Sequence, residues 1–154
     1  MSFISLIKDY PQELKERIAL IGAQTAIDSN DDISAQNFLD ILKDSDGNDY
    51  RKANIAFLNA QKFELQGYPR NAIREYTRIK DSISQKYSSL ARFNKAVLED
   101  KLNLIPPARV ISEFERLRYA WGEVPFKQKL LDNLARAYVK NKDLSLIHIS
   151  EPTR

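Results

Sequence analysis

The side chains that most often carry out catalysis are scarce in this chain. It has 154 residues but no cysteine, which excludes disulfides, thiol nucleophiles and cysteine-based zinc sites. Its single histidine, His148, lies in the C-terminal stretch LSLIHISEPTR. A Ser–His nucleophile system would therefore depend on that stretch alone.

Two clusters of carboxylates could instead bind calcium. They are NDD at 30–32 and DSDGND at 44–49, and the second resembles the first half of an EF-hand loop. An EF-hand needs glycine at loop position 6 and a bidentate glutamate at position 12, but counting from Asp44 places Asp49 and Ile55 there. We therefore interpret both clusters as turns and helix N-caps, and we expect no metal and no cofactor.

The remaining motifs do not indicate catalysis either. Glu99 and Asp100 are sequence neighbours, as are Asp31 and Asp32, so their side chains diverge on a helix or turn and form no acid–base pair. No glycine-rich phosphate loop occurs. The sequence therefore predicts a protein that is not an enzyme.

The charge balance argues against nucleic acid as a partner. The chain has 24 basic and 21 acidic residues, which gives a net charge of +3. A nucleic-acid binder more often has a concentrated basic stripe. The nearest such cluster is ERLRYAW at 115–121, which we interpret as a solvated helix face. No run approaches the roughly 18 apolar residues of a membrane span, so we expect a soluble chain.

The elements that carry these residues are helices. Apolar residues recur at helical spacing, and Pro11, Pro69 and Pro125 stand at positions suited to a first turn. The pattern predicts seven helices and no strand before Leu144, with helices near 11–28, 33–43, 50–65, 68–80, 84–102, 108–121 and 125–143. Their short connections predict antiparallel packing of neighbours.

A small residue recurs in every second helix. Ala60, Ala96 and Ala135 are 36 and 39 residues apart, and Ala23 lies 37 residues before Ala60. The helices between them also correspond, through the pairs Ala35 with Leu39, Ala72 with Tyr76, and Val110 with Phe114. A period in the upper thirties is typical of a helical solenoid.

These positions resemble the tetratricopeptide repeat. Ala60 takes the small position of that family's helix A, Phe63 its aromatic and Gly67 its closing glycine, while Ala72 and Tyr76 take the helix-B positions. The resemblance implies an all-α fold, a right-handed solenoid of antiparallel helical hairpins. In addition, FERLRYAWGE at 114–123 is similar to a stretch found in alphaproteobacterial proteins of unknown function.

The C-terminal stretch departs from the repeat pattern. Its eleven residues, 144–154, are a complete translation of a DNA string that resembles the transposase adapter used in shotgun sequencing libraries. We therefore expect a repeat domain at 1–143, cut inside a fourth hairpin, followed by a non-native tail at 144–154. Since the tail is short and contains Pro152, we expect it not to supply the next helix, and we expect this end to be frayed.

The resemblance also implies a ligand-binding surface. In tetratricopeptide repeats the helix-A faces line a concave groove to which peptides bind. The positions that correspond to it are Asn54, Phe57, Gln61 and Glu64, then Phe93, Asn94, Val97 and Asp100, then Asp132, Arg136 and Val139.

The sequence thus favours a non-enzymatic scaffold that binds a peptide or a partner protein. Two alternatives stay open: a helical-repeat module that binds RNA, and a structural arm of a larger enzyme whose catalytic domain lies elsewhere. The resemblances imply a bacterial protein of the cytoplasm or periplasm.

Overall fold

The computed structural model describes residues 3–79, 81–82 and 84–150, with side chains described for 5–79, 81–82 and 84–142. All regular structure in these residues is helical, which confirms the all-α prediction. A four-residue helix precedes the seven longer ones that the sequence predicts. The helices are α1 (Phe3–Leu6), α2 (Gln12–Asp28), α3 (Asp32–Ile41), α4 (Asp49–Leu65), α5 (Pro69–Ile79), α6 (Gln85–Lys101), α7 (Pro107–Arg118) and α8 (Val124–Ser150).

The acidic clusters begin helices. The Asp31 carboxylate accepts a hydrogen bond from the Ser34 backbone N–H at 3.0 Å, and the Asn48 side chain accepts one from Arg51 N–H at 3.0 Å. The hydrogen bonds from Ser34 lower the pKa of Asp31, because they favour its ionised form. Across the described residues no three acidic or histidine side chains lie close enough to hold a metal ion together.

The even-numbered helices α2, α4 and α6 end in the same way. Each is followed by a residue with positive φ: Asn30 at 58°, Gly67 at 79° and Asn103 at 55°. In each case the next N–H bonds a carbonyl five residues earlier, with Asp31 to Ala26, Tyr68 to Phe63 and Leu104 to Glu99, all at 2.8 Å. This is the Schellman ending. It recurs after 37 and 36 residues, so the fold is compatible with a helical repeat.

The predicted small positions lie in the core. Ala23, Ala35, Ala60 and Ala72 have no exposed surface, and Ala96 is 2% exposed. The larger partners Leu39, Tyr76, Val110 and Phe114 are also buried. Alanine at these points lets helix backbones approach closely, and the aromatic rings fill the space beside them.

Ala135 differs from its counterparts, because it is exposed. On α8, Leu130 and Leu134 are buried, whereas Leu131 and Tyr138 are 50% and 48% exposed. The apolar side chains of α8 are therefore only partly covered. The reason is that α8 packs against α7, and no later helix among the described residues covers its other side.

Contacts between alternate helices hold the even-numbered ones side by side. Besides the contacts between consecutive helices from α2 onward, α2 touches α4 and α4 touches α6. A partly buried ion pair between Glu16 of α2 and Arg51 of α4 reinforces the first contact. The even-numbered helices therefore share one side of the molecule, which positions the groove described below.

The last helix is longer than the sequence predicts. We expected an end near Asp143, but α8 continues to Ser150. Nothing from Leu144 to Ser150 interrupts a helix, since the next proline is Pro152, and the chain context outweighs the strand preference of the apolar residues. The stretch extends α8 and forms no separate hairpin partner; its side chains lie outside the described residues. None of the described helices meets the length and hydropathy that a membrane-spanning helix needs.

The alanine contacts predict a stability effect. Ala60→Leu should lower the free energy of unfolding by about 1–3 kcal/mol, because three more carbon atoms must fit where no exposed space exists. Urea denaturation followed by circular dichroism measures this. Ala135→Leu is the matched control and should change stability by no more than about 0.5 kcal/mol. Equal effects of the two substitutions would contradict the close approach at Ala60.

Candidate functional site

A groove of about 590 Å³ runs across the even-numbered helices. Its wall includes Ile27 of α2, Gln61 of α4, Asn94 of α6 and Asn133 of α8. All four even-numbered helices therefore contribute to one surface.

Five of the expected ligand-binding positions line this groove: Gln61, Glu64, Phe93, Asn94 and Val97. Phe93 forms the floor, since only 1% of its surface is exposed and its ring lies 5.4 Å from that of Phe114 and 5.6 Å from that of Phe126. The other four stand at the walls. The structure thus brings these residues of α4 and α6 together in one groove.

The structure does not bring the other expected positions into the groove. Phe57 is 6% exposed and lies in the core, with its ring 5.7 Å from the rings of both Tyr76 and Tyr87. Asp100 instead pairs with Lys140 of α8 at 3.5 Å. The positions outside the groove wall are Asn54, Phe57, Asp100, Asp132, Arg136 and Val139. Which side chains of a helix face a groove depends on how that helix is rotated against its neighbours, and the sequence of one helix does not set that rotation.

A hydrogen-bond network links the groove to the core. The buried hydroxyl of Tyr76 donates to Glu64 Oε1 at 2.5 Å and accepts from Asn94 Nδ2 at 3.1 Å. Burial, reinforced by the negative charge of Glu64, holds the pKa of Tyr76 well above its usual value. Because the hydroxyl proton is directed to a carboxylate, only the NH₂ group of Asn94 can complete the contact. The network thus fixes the orientation of the Asn94 amide and leaves its Oδ1 to accept from a ligand.

Side-chain amides recur along the groove, one near each even-numbered helix. They are Asn30 after α2, Gln61 on α4, Asn94 on α6 and Asn133 on α8. Asn133 Nδ2 donates to the Lys129 carbonyl at 2.8 Å, so its Oδ1 and its second N–H remain for a ligand. Gln61 Oε1 is buried and has no hydrogen-bond partner among the described residues. Buried acceptors are nearly always paired in proteins, so this oxygen indicates where a ligand could donate.

Two lysines add positive charge to the lining of the groove. Lys101 and Lys129 both line it, and the Lys129 ammonium lies 5.6 Å from the centre of the Phe93 ring. The only carboxylate among the described lining residues is that of Glu64. Sequence reasoning missed the other six lining residues, which are Ile27, Asn30, Leu65, Lys101, Lys129 and Asn133. Asn30 carried a signal, since it occupies the helix-ending position that Gly67 occupies in the next unit.

The groove has the chemistry of a binding surface. It offers amide donors and acceptors, an aromatic floor and two cations. Its described lining contains no cysteine or histidine, and Glu64 is its only acid. Comparisons with protein-family models, with curated proteins and with solved structures each found no match.

The raised pKa of Tyr76 predicts how stability depends on pH. In the unfolded chain a tyrosine ionises near pH 10, whereas Tyr76 keeps its proton in the fold to a higher pH. The folded state then binds more protons than the unfolded state, so the stabilisation is complete below pH 10 and is lost as the pH rises above it.

Tyr76→Phe should remove this contribution. Above pH 10 its free energy of unfolding should fall less steeply than that of the wild type, by up to about 1.4 kcal/mol per pH unit. Tyr87, whose pKa burial also raises, retains its own contribution in both proteins. Urea titrations from pH 8 to 11 measure the two slopes, and identical slopes would show that Tyr76 is not held protonated by its surroundings.

Proposed function

We propose that this chain is a non-enzymatic scaffold whose groove binds an extended peptide segment of a partner protein. The proposal includes a tetratricopeptide-like architecture, in which α2–α3, α4–α5 and α6–α7 are antiparallel hairpins stacked into a right-handed superhelix. It is supported by the recurring helix ending after Asp28, Leu65 and Lys101 and by the alanines at every second helix.

The row of side-chain amides is the observation that carries the proposal. An extended peptide presents N–H and C=O groups along its backbone, and it has no internal hydrogen bonds to satisfy them. A carboxamide can donate and accept at once, so a row of four can pair with the backbone whatever the peptide's side chains are. Asn30, Gln61, Asn94 and Asn133 form such a row across four helices.

The other side chains of the groove indicate which peptide sequences it should prefer. Lys101 and Lys129 favour a peptide with acidic side chains, because the described lining offers only Glu64 as a competing anion. Val97, Leu65 and the Phe93 floor favour an apolar side chain between the amide contacts. We therefore expect an extended segment in which acidic and apolar residues are mixed.

Selection from a random peptide library displayed on phage tests the proposal. Peptides enriched on the full chain should be acidic, and a fluorescent copy of the most enriched one should bind in solution. Asn94→Ala and Asn133→Ala should each weaken that binding about fivefold, the effect of losing one hydrogen bond of about 1 kcal/mol.

Asn71→Ala provides the matched control, because Asn71 is exposed on α5 and lies outside the groove wall. It should leave the affinity unchanged. The proposal fails if no peptide is enriched, or if the enriched peptide binds equally well to Asn94→Ala, Asn133→Ala and the control.

A further inference from the structure

A second surface lies on α6 and α7, along the other edge of α6 from the groove. It consists of two adjoining clefts of about 480 Å³ and 280 Å³, which share Arg92 of α6 and Arg116 of α7. We call the pair of clefts the basic cleft. None of its lining residues belongs to the groove described above.

Four cations converge on the basic cleft. Arg92 and Lys95 stand three residues apart on α6, and Arg109 and Arg116 stand seven apart on α7, so each pair shares one helix face. Two of the cations have acidic neighbours: Lys95 pairs with Glu99 at 3.3 Å, and Arg92 with Asp81 at 3.5 Å. The carboxylates in the lining, Glu99 and Glu113, belong to the smaller cleft alone.

The larger cleft combines two guanidinium groups with aromatic rings and hydroxyl groups. Tyr119 is 84% exposed, which is unusual for so large a ring, and it lines this cleft together with Trp121. The Trp121 ring lies 5.9 Å from the Phe126 ring, which anchors it to the core. Ser82, Ser88 and Ser89 line the same cleft. The lining thus offers surfaces for stacking beside donors for a phosphate.

The basic and acidic residues are also distributed unequally along the chain. Residues 50–142 contain 19 lysines and arginines against 9 aspartates and glutamates, whereas residues 1–49 contain 4 against 10. The small net charge of the whole chain conceals this difference. A flexible polyanion would be attracted to the part of the molecule that holds α6 and α7.

We propose that the basic cleft binds single-stranded nucleic acid, with bases against Tyr119 and Trp121 and the phosphate backbone along Arg92 and Arg116. Single-stranded nucleic acid needs both features at once, since bases stack on aromatic rings and phosphates pair with cations. The guanidinium fork suits phosphate oxygens because it donates two parallel hydrogen bonds. A phosphorylated peptide would use the arginines but would leave the exposed aromatic rings unexplained.

Fluorescence anisotropy with the full chain tests this proposal. The probes are fluorescein-labelled oligouridylate and oligothymidylate of eight nucleotides, measured between 50 and 200 mM salt. Binding should weaken as salt rises. Tighter binding of the uridylate assigns RNA as the ligand, and tighter binding of the thymidylate assigns single-stranded DNA.

Substitutions at two exposed positions distinguish the phosphate contact from the stacking contact. Arg116→Gln should weaken binding at least fivefold and reduce the slope of log affinity against log salt by about 0.7, the value for one phosphate contact on a single strand. Tyr119→Ala should also weaken binding at least fivefold, but the slope should not change, because stacking releases no counterions. Both side chains are exposed, so the fold should tolerate both changes.

The controls distinguish this site from general charge and from the groove. Arg70→Gln removes an exposed arginine of α5 that lines neither cleft, and Asn94→Ala alters the groove; both should retain wild-type affinity. The proposal is overturned if neither oligonucleotide binds at 50 mM salt, or if Arg70→Gln weakens binding as much as Arg116→Gln. It is also overturned if a phosphoserine peptide competes as effectively as unlabelled oligonucleotide.

Discussion

Close contact between helices at buried alanines is the constraint on which the rest of the structure depends. Ala23, Ala60 and Ala96 stand at matching points of α2, α4 and α6, and side chains this small let neighbouring helices approach. The even-numbered helices consequently lie on one side, with their polar residues next to each other. The side-chain amides of the groove come from turns and helices that are far apart in sequence. They form a row because this packing brings those segments together.

Tyr76 connects this packing to the groove. Its ring is fully buried among the core residues of α4, α5 and α6, while its hydroxyl reaches Glu64 and Asn94. A position that the repeat pattern marks as a packing aromatic therefore also sets the orientation of an amide that faces the groove. The packing of the core and the geometry of the groove are consequently not independent. A substitution that moves α5 against α4 should alter the hydrogen bonds that the groove can offer.

The sequence predicts the helices and the core better than the surface. Burial of Ala60, Ala72 and Tyr76 follows from residue type and period, because these are local properties that recur. Phe57 lies in the core and Asn133 in the groove because of how each helix is rotated against its neighbours. The sequence of one helix does not determine that rotation. The continuation of α8 to Ser150 shows the same limit, since a strand-preferring run adopts the helix that precedes it.

The central claim is that the side-chain amides of the groove pair with a peptide backbone. The most direct test is nuclear magnetic resonance of the side-chain NH₂ groups of ¹⁵N-labelled protein during titration with the acidic peptide selected on phage. The account predicts that the NH₂ signals of Gln61, Asn94 and Asn133 shift together at one dissociation constant, whereas the signal of Asn71 on α5 stays in place. Shifts confined to Gln85, which lines the basic cleft, or unchanged signals from Asn94 and Asn133 at saturation, would contradict it.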